Sequence, residues 1–226
     1  MSAVVTGAGS GIGRAIALKL AARDHDIALL GRHLAPLEEV AVEVRKLGRR
    51  ALAIHCDVAV SSEVERAAAS VLAELGTPHV VVNNAGVALR ADVVSMNESD
   101  WDEVLDVNLK GAFLVTRAFL PSMITRKNGR IVAISSISGT LGTARMTAYC
   151  ASKWGLIGFT KALAEELRDT GLQSLCVMPG SVDTAMLVGS GFKSEMTPDE
   201  VAGLVTYAAL DAPDAMNGSA IEMFGA

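Results

Sequence analysis

Basic clusters, aromatic side chains, paired cysteines and long apolar runs are what this 226-residue chain has least of. Twenty Lys and Arg against 25 Asp and Glu, with no dense basic stretch, give a formal net charge of -5 and no electrostatic footprint for nucleic acid. Cys56, Cys150 and Cys176 are odd in number and far apart with no C-x-x-C, so neither a disulfide framework nor a zinc site is expected. His25, His33, His55 and His79 lack ligand spacing too and read as surface or loop residues; no metal is expected. No apolar run reaches spanning length and no charged-then-apolar leader opens the chain, which predicts a soluble, cytoplasmic protein without membrane contact. Aromatics at 4% beside 50% hydrophobic residues imply an interior of Ala, Val, Leu and Ile, a composition suited to helices layered on a sheet.

What is present is alternation. "AVVT" (3–6), "DIALL" (26–30), "ALAIH" (51–55), "HVVVN" (79–83), "RIVAIS" (130–135), "LQSLCVM" (172–178) and "SAIEMF" (219–224) read as strands. Nearly continuous apolar runs of this length mark strands buried on both faces. Helical patterns lie between them near 12–23, 34–47, 62–75, 99–122, 147–169 and 198–211. Ser62 with Glu65 and Thr197 with Glu200 fit the capping box, and Pro198 suits a first helical position. No Gly/Ser- or Pro-rich linker interrupts the pattern. Residues 1–226 are therefore expected to form a single domain, an α/β doubly wound Rossmann fold with a seven-stranded, mostly parallel sheet and helices on both faces.

"VVTGAGSGIGRAIALKL" runs from the first strand straight into the first helix, with Gly7, Gly11 and Gly13 spaced T-G-x-x-x-G-x-G. Glycines there permit tight turns and close backbone approach, and the helix behind them offers free N–H groups and a positive dipole end to a pyrophosphate. The Lys-Ser/Thr of a nucleotide-hydrolysing loop is absent. Ligands of open parallel sheets bind outside the carboxyl ends of the strands, and a first βα turn lies there.

"AYCASKWG" (148–155) places Tyr149 and Lys153 four residues apart, hence on one face of a helix. A free phenol, with a pKa of about 10, is a poor base near neutrality. A cation about 4 Å away, at an effective dielectric near 20, stabilises the phenolate by roughly 4 kcal/mol. As an upper bound, since desolvation opposes it, this lowers the phenol pKa by about 3.

These stretches resemble the short-chain dehydrogenase/reductase family over nearly the whole chain. "TGAGSGIG" (6–13), "CDV" (56–58), "NNAG" (83–86), "VNLKG" (107–111), "ISS" (134–136), "YCASK" (149–153) and "PGSVDT" (179–184) fall in the family's order. The resemblance implies an oxidoreductase that moves a hydride between a nicotinamide dinucleotide and a ketone or secondary alcohol. Tyr149 would act as general acid or base, Ser136 (rather than Ser135) would hold the substrate oxygen, and Lys153 would bind the nicotinamide ribose. Asn108 would hold a water linking Lys153 to solvent. For the cofactor it implies Gly7, Ser10, Gly11, Ile12 and Gly13 at the pyrophosphate, Asp57 and Val58 near the adenine, and Asn83, Ala85 and Gly86 along the adenosine ribose. Pro179, Gly180, Val182 and Thr184 would line the nicotinamide end, beside Tyr149 and Lys153.

The second strand ends "LLGRH", with Arg32 where an NAD-binding chain carries a carboxylate. Nothing at that strand end repels a 2′-phosphate, and a guanidinium can pair with one, so NADP(H) is expected to be preferred with NAD(H) possible. Residues 185–197, "AMLVGSGFKSEMT", read as a short substrate loop without a charge pattern that names a ligand. An oxoacyl-thioester (acyl carrier protein) reductase is one specific activity within the family, and a non-catalytic cofactor sensor on the same fold is the alternative of another class. A sugar-nucleotide epimerase is disfavoured by the glycine spacing, and a serine hydrolase by the lack of G-x-S-x-G. Apolar residues on several faces of the helices at 99–122 and 147–169 agree with what the resemblance implies, a homodimer or homotetramer paired through them.

Overall fold

The computed structural model describes residues 1–225. Seven strands, β1 (Ser2–Thr6), β2 (Asp26–Gly31), β3 (Ala51–His55), β4 (Val80–Asn83), β5 (Gly129–Ile134), β6 (Leu172–Pro179) and β7 (Ala220–Met223), form one sheet in the order β3-β2-β1-β4-β5-β6-β7. Every pairing is parallel, so the sheet is wholly rather than mostly parallel. Helices α1 (Gly11–Ala22), α2 (Leu34–Lys46), α3 (Ser61–Leu75), α4 (Glu98–Leu105), α5 (Gly111–Arg126), α6 (Thr147–Glu166) and α7 (Pro198–Leu210) cover it.

Successive strand side chains point to opposite faces, and here both faces are covered. In β1, Ala3 and Val5 join the core under α1, α2 and α7 with Ile16, Leu20, Val40 and Val205. Val4 joins the opposite core with Val64, Phe119, Met123 and Leu163 of α3, α5 and α6. The strand order reverses between β1 and β4, which opens a crevice at the carboxyl ends of those neighbours.

Three details differ from the sequence reading. The helix expected over 99–122 is two helices joined by a π-turn at Asp106–Lys110, where the Gly111 N–H reaches back to the Asp106 carbonyl, and α5 continues through Pro121 to Arg126. The Ser62–Glu65 capping box does not form. α3 begins at Ser61, Glu63 instead accepts the Asp57 N–H at 2.8 Å, and Glu65 takes the Ser61 hydroxyl at 2.9 Å, because the chain turns back at Asp57 and brings its free N–H over the helix start. The Thr197–Glu200 box does form, with Glu200 accepting the Thr197 N–H at 2.7 Å and Thr197 Oγ1 accepting the Glu200 N–H at 3.3 Å. His25 lies in the α1–β2 connection, as a loop residue, but is buried rather than on the surface. Among the described residues no helix is long and apolar enough to cross a membrane.

Candidate active site

The β1–α1 turn is held by side chains from the neighbouring strand end. Thr6 Oγ1 donates to the Val82 carbonyl at 3.3 Å and accepts the N–H groups of Asn84 and Ala85, each at 3.0 Å. Asn84 Nδ2 donates to the carbonyls of Thr6 and Gly7 at 2.9 and 3.3 Å. Gly7 and Gly11 adopt positive φ, +63° and +51°, which glycine reaches without a Cβ penalty. Gly13 has no room for a side chain, since a Cβ there would sit 2.2 Å from the Gly7 carbonyl oxygen. Ser10 precedes α1 without a side-chain cap and no acidic residue occupies its first turn, so the helix start presents uncompensated N–H donors. This cradle fits a pyrophosphate. Of the "NNAG" residues, Asn83 is buried with its amide donating to Thr116 Oγ1 at 2.9 Å, away from the crevice. Strand parity carries the signal for that: Val81 faces the α3–α5–α6 core, so Asn83, two residues on, faces α5 as well.

At the end of β2, the half-exposed Arg32 faces a partner that the strand end does not reveal. Its Nη1 lies 3.7 Å from Glu103 Oε1 of α4. A carboxylate therefore does stand near the expected 2′-phosphate position, supplied from 71 residues away in the chain (103 minus 32).

Across the crevice, Ser136 follows β5 and caps a short 3-10 turn, its Oγ accepting the Ser138 N–H at 3.1 Å. Tyr149 and Lys153, both buried, project from the first turns of α6. The Lys153 ammonium donates to the Ile134 carbonyl at 2.7 Å and stands 5.6 Å from the centre of the Tyr149 ring. Burial pulls the Lys153 pKa down to about 8. Burial also pushes the Tyr149 phenol above its ordinary value, only partly opposed by the Ser136 hydroxyl and the positive charge of Arg90. The expectation that Lys153 makes the phenol acidic is not met in the protein alone: burial dominates, what opposes it comes from Ser136 and Arg90, and the ammonium's hydrogen bond goes to β5.

Asn108 sits in the π-turn and is buried. Its Oδ1 accepts the Val87 N–H at 2.8 Å, and its Nδ2 donates to the Val87 carbonyl at 2.9 Å and to Ser152 Oγ at 3.0 Å. Ser152 in turn donates to the Tyr149 carbonyl at 2.7 Å, so Asn108 ties the loop after β4 to α6. A Cβ on Gly86 would lie 3.3 Å from Asn108 Oδ1 and 3.7 Å from Lys153 Nζ, a tight place that only a glycine leaves open.

A cleft of about 1270 Å³ joins these groups. Gly7, Ser10, Gly11, Ile12, Gly13, Arg32, Asp57, Val58, Ala85, Gly86, Ser136, Tyr149, Lys153, Pro179, Gly180, Val182 and Thr184 all line it, whereas Asn83 and Asn108 stand behind its wall. Arg90, Leu141 and Met146 also line it and lie outside every motif and loop singled out from sequence, while Asn84 and Phe192 line it from within the "NNAG" motif and the 185–197 loop. Arg90 reaches it only because the loop after β4 folds against residues 190–192, a contact across 100 positions that no local pattern reports. Glycine cradle, strand-end crevice and elongated cleft together fit a dinucleotide with its nicotinamide end near Tyr149.

Comparison with known proteins identifies the family. A family model described as short chain dehydrogenase matches residues 1–193. Nodulation protein G of Rhizobium meliloti is 36% identical over 235 residues, covering 99% of this chain and 95% of its own. A 3-oxoacyl-[acyl-carrier-protein] reductase FabG of Staphylococcus epidermidis is 33% identical over 99% of this chain and 97% of its own. The crystal structure of a short-chain type dehydrogenase/reductase from Mycobacterium marinum superposes with a TM-score of 0.94 at 30% identity, over 99% of this chain and 94% of that one. Sequence, sheet order and relatives lead to one conclusion: the chain belongs to the short-chain dehydrogenase/reductase family, oxidoreductases that use nicotinamide cofactors.

Proposed function

We propose that this protein reduces a ketone with NADP(H), the Tyr149 phenol giving its proton to the carbonyl oxygen. The observation that carries the reading is the meeting of Ser136, Tyr149 and Lys153 on one cleft wall at the carboxyl ends of the strands. A bound nicotinamide supplies the hydride. Tyr149, kept neutral by burial, is in the form that donates a proton, which favours the reductive direction. Ser136 Oγ holds the substrate oxygen beside the phenol. Lys153 anchors the ribose end, and with a pKa of about 8 it exchanges protons readily near neutrality. Asn108 acts one step back, by fixing the loop after β4 against α6. Arg32 favours the 2′-phosphate of NADP(H), with Glu103 as its competitor. Residues 185–197 form the substrate loop of a single working unit spanning 1–226. Phe113 and Trp154, 42% and 54% exposed on α5 and α6, offer the apolar surface through which two copies would pair.

The experiment is a screen of ketones and secondary alcohols with both reduced and both oxidised cofactors, using Tyr149→Phe as the blank. Turnover lost in the variant while cofactor affinity is kept supports the reading; full activity in the variant ends it. Cofactor binding without any turnover identifies a sensor instead. A second, more specific reading is favoured by relatives named 3-oxoacyl-[acyl-carrier-protein] reductase, 33% and 35% identical. Including a 3-oxoacyl thioester in the panel tests it.

A further inference from the structure

The substrate end of the cleft is walled by apolar side chains, among them Leu141, Met146, Met186, Leu187 and Phe192. One cation interrupts that wall. Arg90, on the loop after β4, lies with its guanidinium carbon 5.3 Å from the centre of the Phe192 ring, and its Nη1 donates to the Ser190 carbonyl at 3.0 Å. Among the described residues no carboxylate comes within 4.0 Å of it. The acid two residues on, Asp92, is paired with Arg145 at 3.8 Å. The other cleft-lining arginines are partnered, Arg14 by Glu43 at 2.6 Å and Arg32 by Glu103. Lys153 gives one donor to β5 and is assigned to the cofactor ribose. Arg90 is therefore a positive charge at the substrate end, with ring and carbonyl fixing one edge of its fork and the remaining N–H donors unclaimed.

From this arrangement we infer that Arg90 is a specificity-determining residue for the carbonyl substrate, selecting molecules that carry a carboxylate on an apolar chain. The inference rests on the reductase reading above and narrows its substrate to keto acids. A guanidinium matches a carboxylate bidentately, and its charge-assisted hydrogen bonds are stronger than neutral ones. The stack on Phe192 holds the planar group in place, so little side-chain freedom is lost when the acid arrives. Arg90 also lowers the Tyr149 phenol by its charge, which places it within electrostatic reach of the group that meets the carbonyl. An acid engaged by Arg90 thus directs the rest of a keto acid along the apolar wall toward Tyr149. The same contact withdraws positive charge from the phenol and leaves it the neutral donor that reduction needs.

The test compares 4-oxopentanoate, 5-oxohexanoate and 6-oxoheptanoate with their methyl esters, on the wild type and on Arg90→Met and Arg90→Lys. Dissociation constants are read by calorimetry with NADP+ bound, and kcat/KM with NADPH. For at least one chain length the wild type is expected to bind and turn over the acid about tenfold or more better than the ester. Arg90→Met abolishes that ratio by weakening the acid alone, and Arg90→Lys restores part of it. Equal affinity of the wild type for acids and esters, or no binding of any acid, overturns the inference. An Arg90→Met variant that loses acid and ester alike also overturns it, and assigns Arg90 to holding the 190–192 segment. Acids that bind in an Arg90-dependent way without being reduced leave the subsite standing and count against the reductase reading instead.

Discussion

The Lys153 ammonium stands 5.6 Å from the centre of the Tyr149 ring, and its hydrogen bond goes to the Ile134 carbonyl. Both groups are buried, so each is biased toward its neutral form: the phenol pKa rises and the amine falls to about 8. The pair is arranged as a neutral proton donor beside a cation on the edge of titration.

Replacing Tyr149 by Phe removes the donor and keeps the ring's packing. Activity toward any ketone substrate should fall by about a hundred- to ten-thousandfold, with the dissociation constants of NADPH and NADH within a factor of about two of wild type. Steady-state kinetics and cofactor fluorescence titration check both halves.

Lys153 gives stability a defined pH dependence. Its pKa is about 8 in the folded chain against 10.5 ordinarily. Between those values the unfolded chain holds a proton that the folded chain has released, so stability rises with pH across this window. Below about 8 both states are protonated and the slope vanishes. Cys56 and Cys176, whose thiols burial pushes up to about 11, oppose this above pH 9, so the Lys153 contribution is read as a difference: the gap in urea denaturation midpoint between wild type and Lys153→Met should shift in favour of the wild type from pH 8 to pH 10.

A second window lies at acid pH, at the amino ends of β2 and β4, the end of the sheet opposite the cleft. His25 and His79 pack edge to face with ring centres 6.5 Å apart, His25 Nε2 is buried without a partner, and burial holds the His79 pKa at about 4. From about 6.5 down to 4 the unfolded chain takes up protons that the folded chain refuses, so stability is lost as pH falls. His79→Gln should flatten melting temperature against pH in that range, while the wild type declines.

Gly13→Ala should weaken both cofactors and lower the melting temperature. Its Cβ would meet the Gly7 carbonyl oxygen at 2.2 Å and Asn84 Nδ2 at 2.5 Å, and overpacking of this kind costs about 1–3 kcal/mol. Gly203→Ala in α7, where a Cβ meets nothing within 4 Å, is the control and should be neutral or stabilising by up to about 1 kcal/mol.

Glu103→Gln frees Arg32 from its competitor. NADPH affinity should rise about two- to fivefold, the scale of an exposed ion pair, with NADH unchanged. Arg32→Ala should cost NADPH about tenfold and NADH little. Titration of each variant with both reduced cofactors measures the ratio directly.

Ser136 was picked out only by what the resemblance implied, whereas the order of strands and helices, the glycine cradle and the Tyr149–Lys153 pair were legible in the amino-acid sequence itself. Each depends on local rules: apolar runs of strand length, glycines where a turn needs positive φ, a four-residue step along a helix face. Strand parity also carries the side-chain direction of Asn83, which faces α5, while Asn84 of the same motif braces the glycine turn. What folding alone decided is long-range and electrostatic. It set Glu103 beside Arg32, brought Arg90 to Phe192, broke one helix with a π-turn at Asn108, and buried Tyr149 deeply enough for desolvation to outweigh a nearby cation. A sequence names the groups and their spacing along the chain; their distances through space and their exposure to water set the charges, and those exist only once the sheet has closed around them.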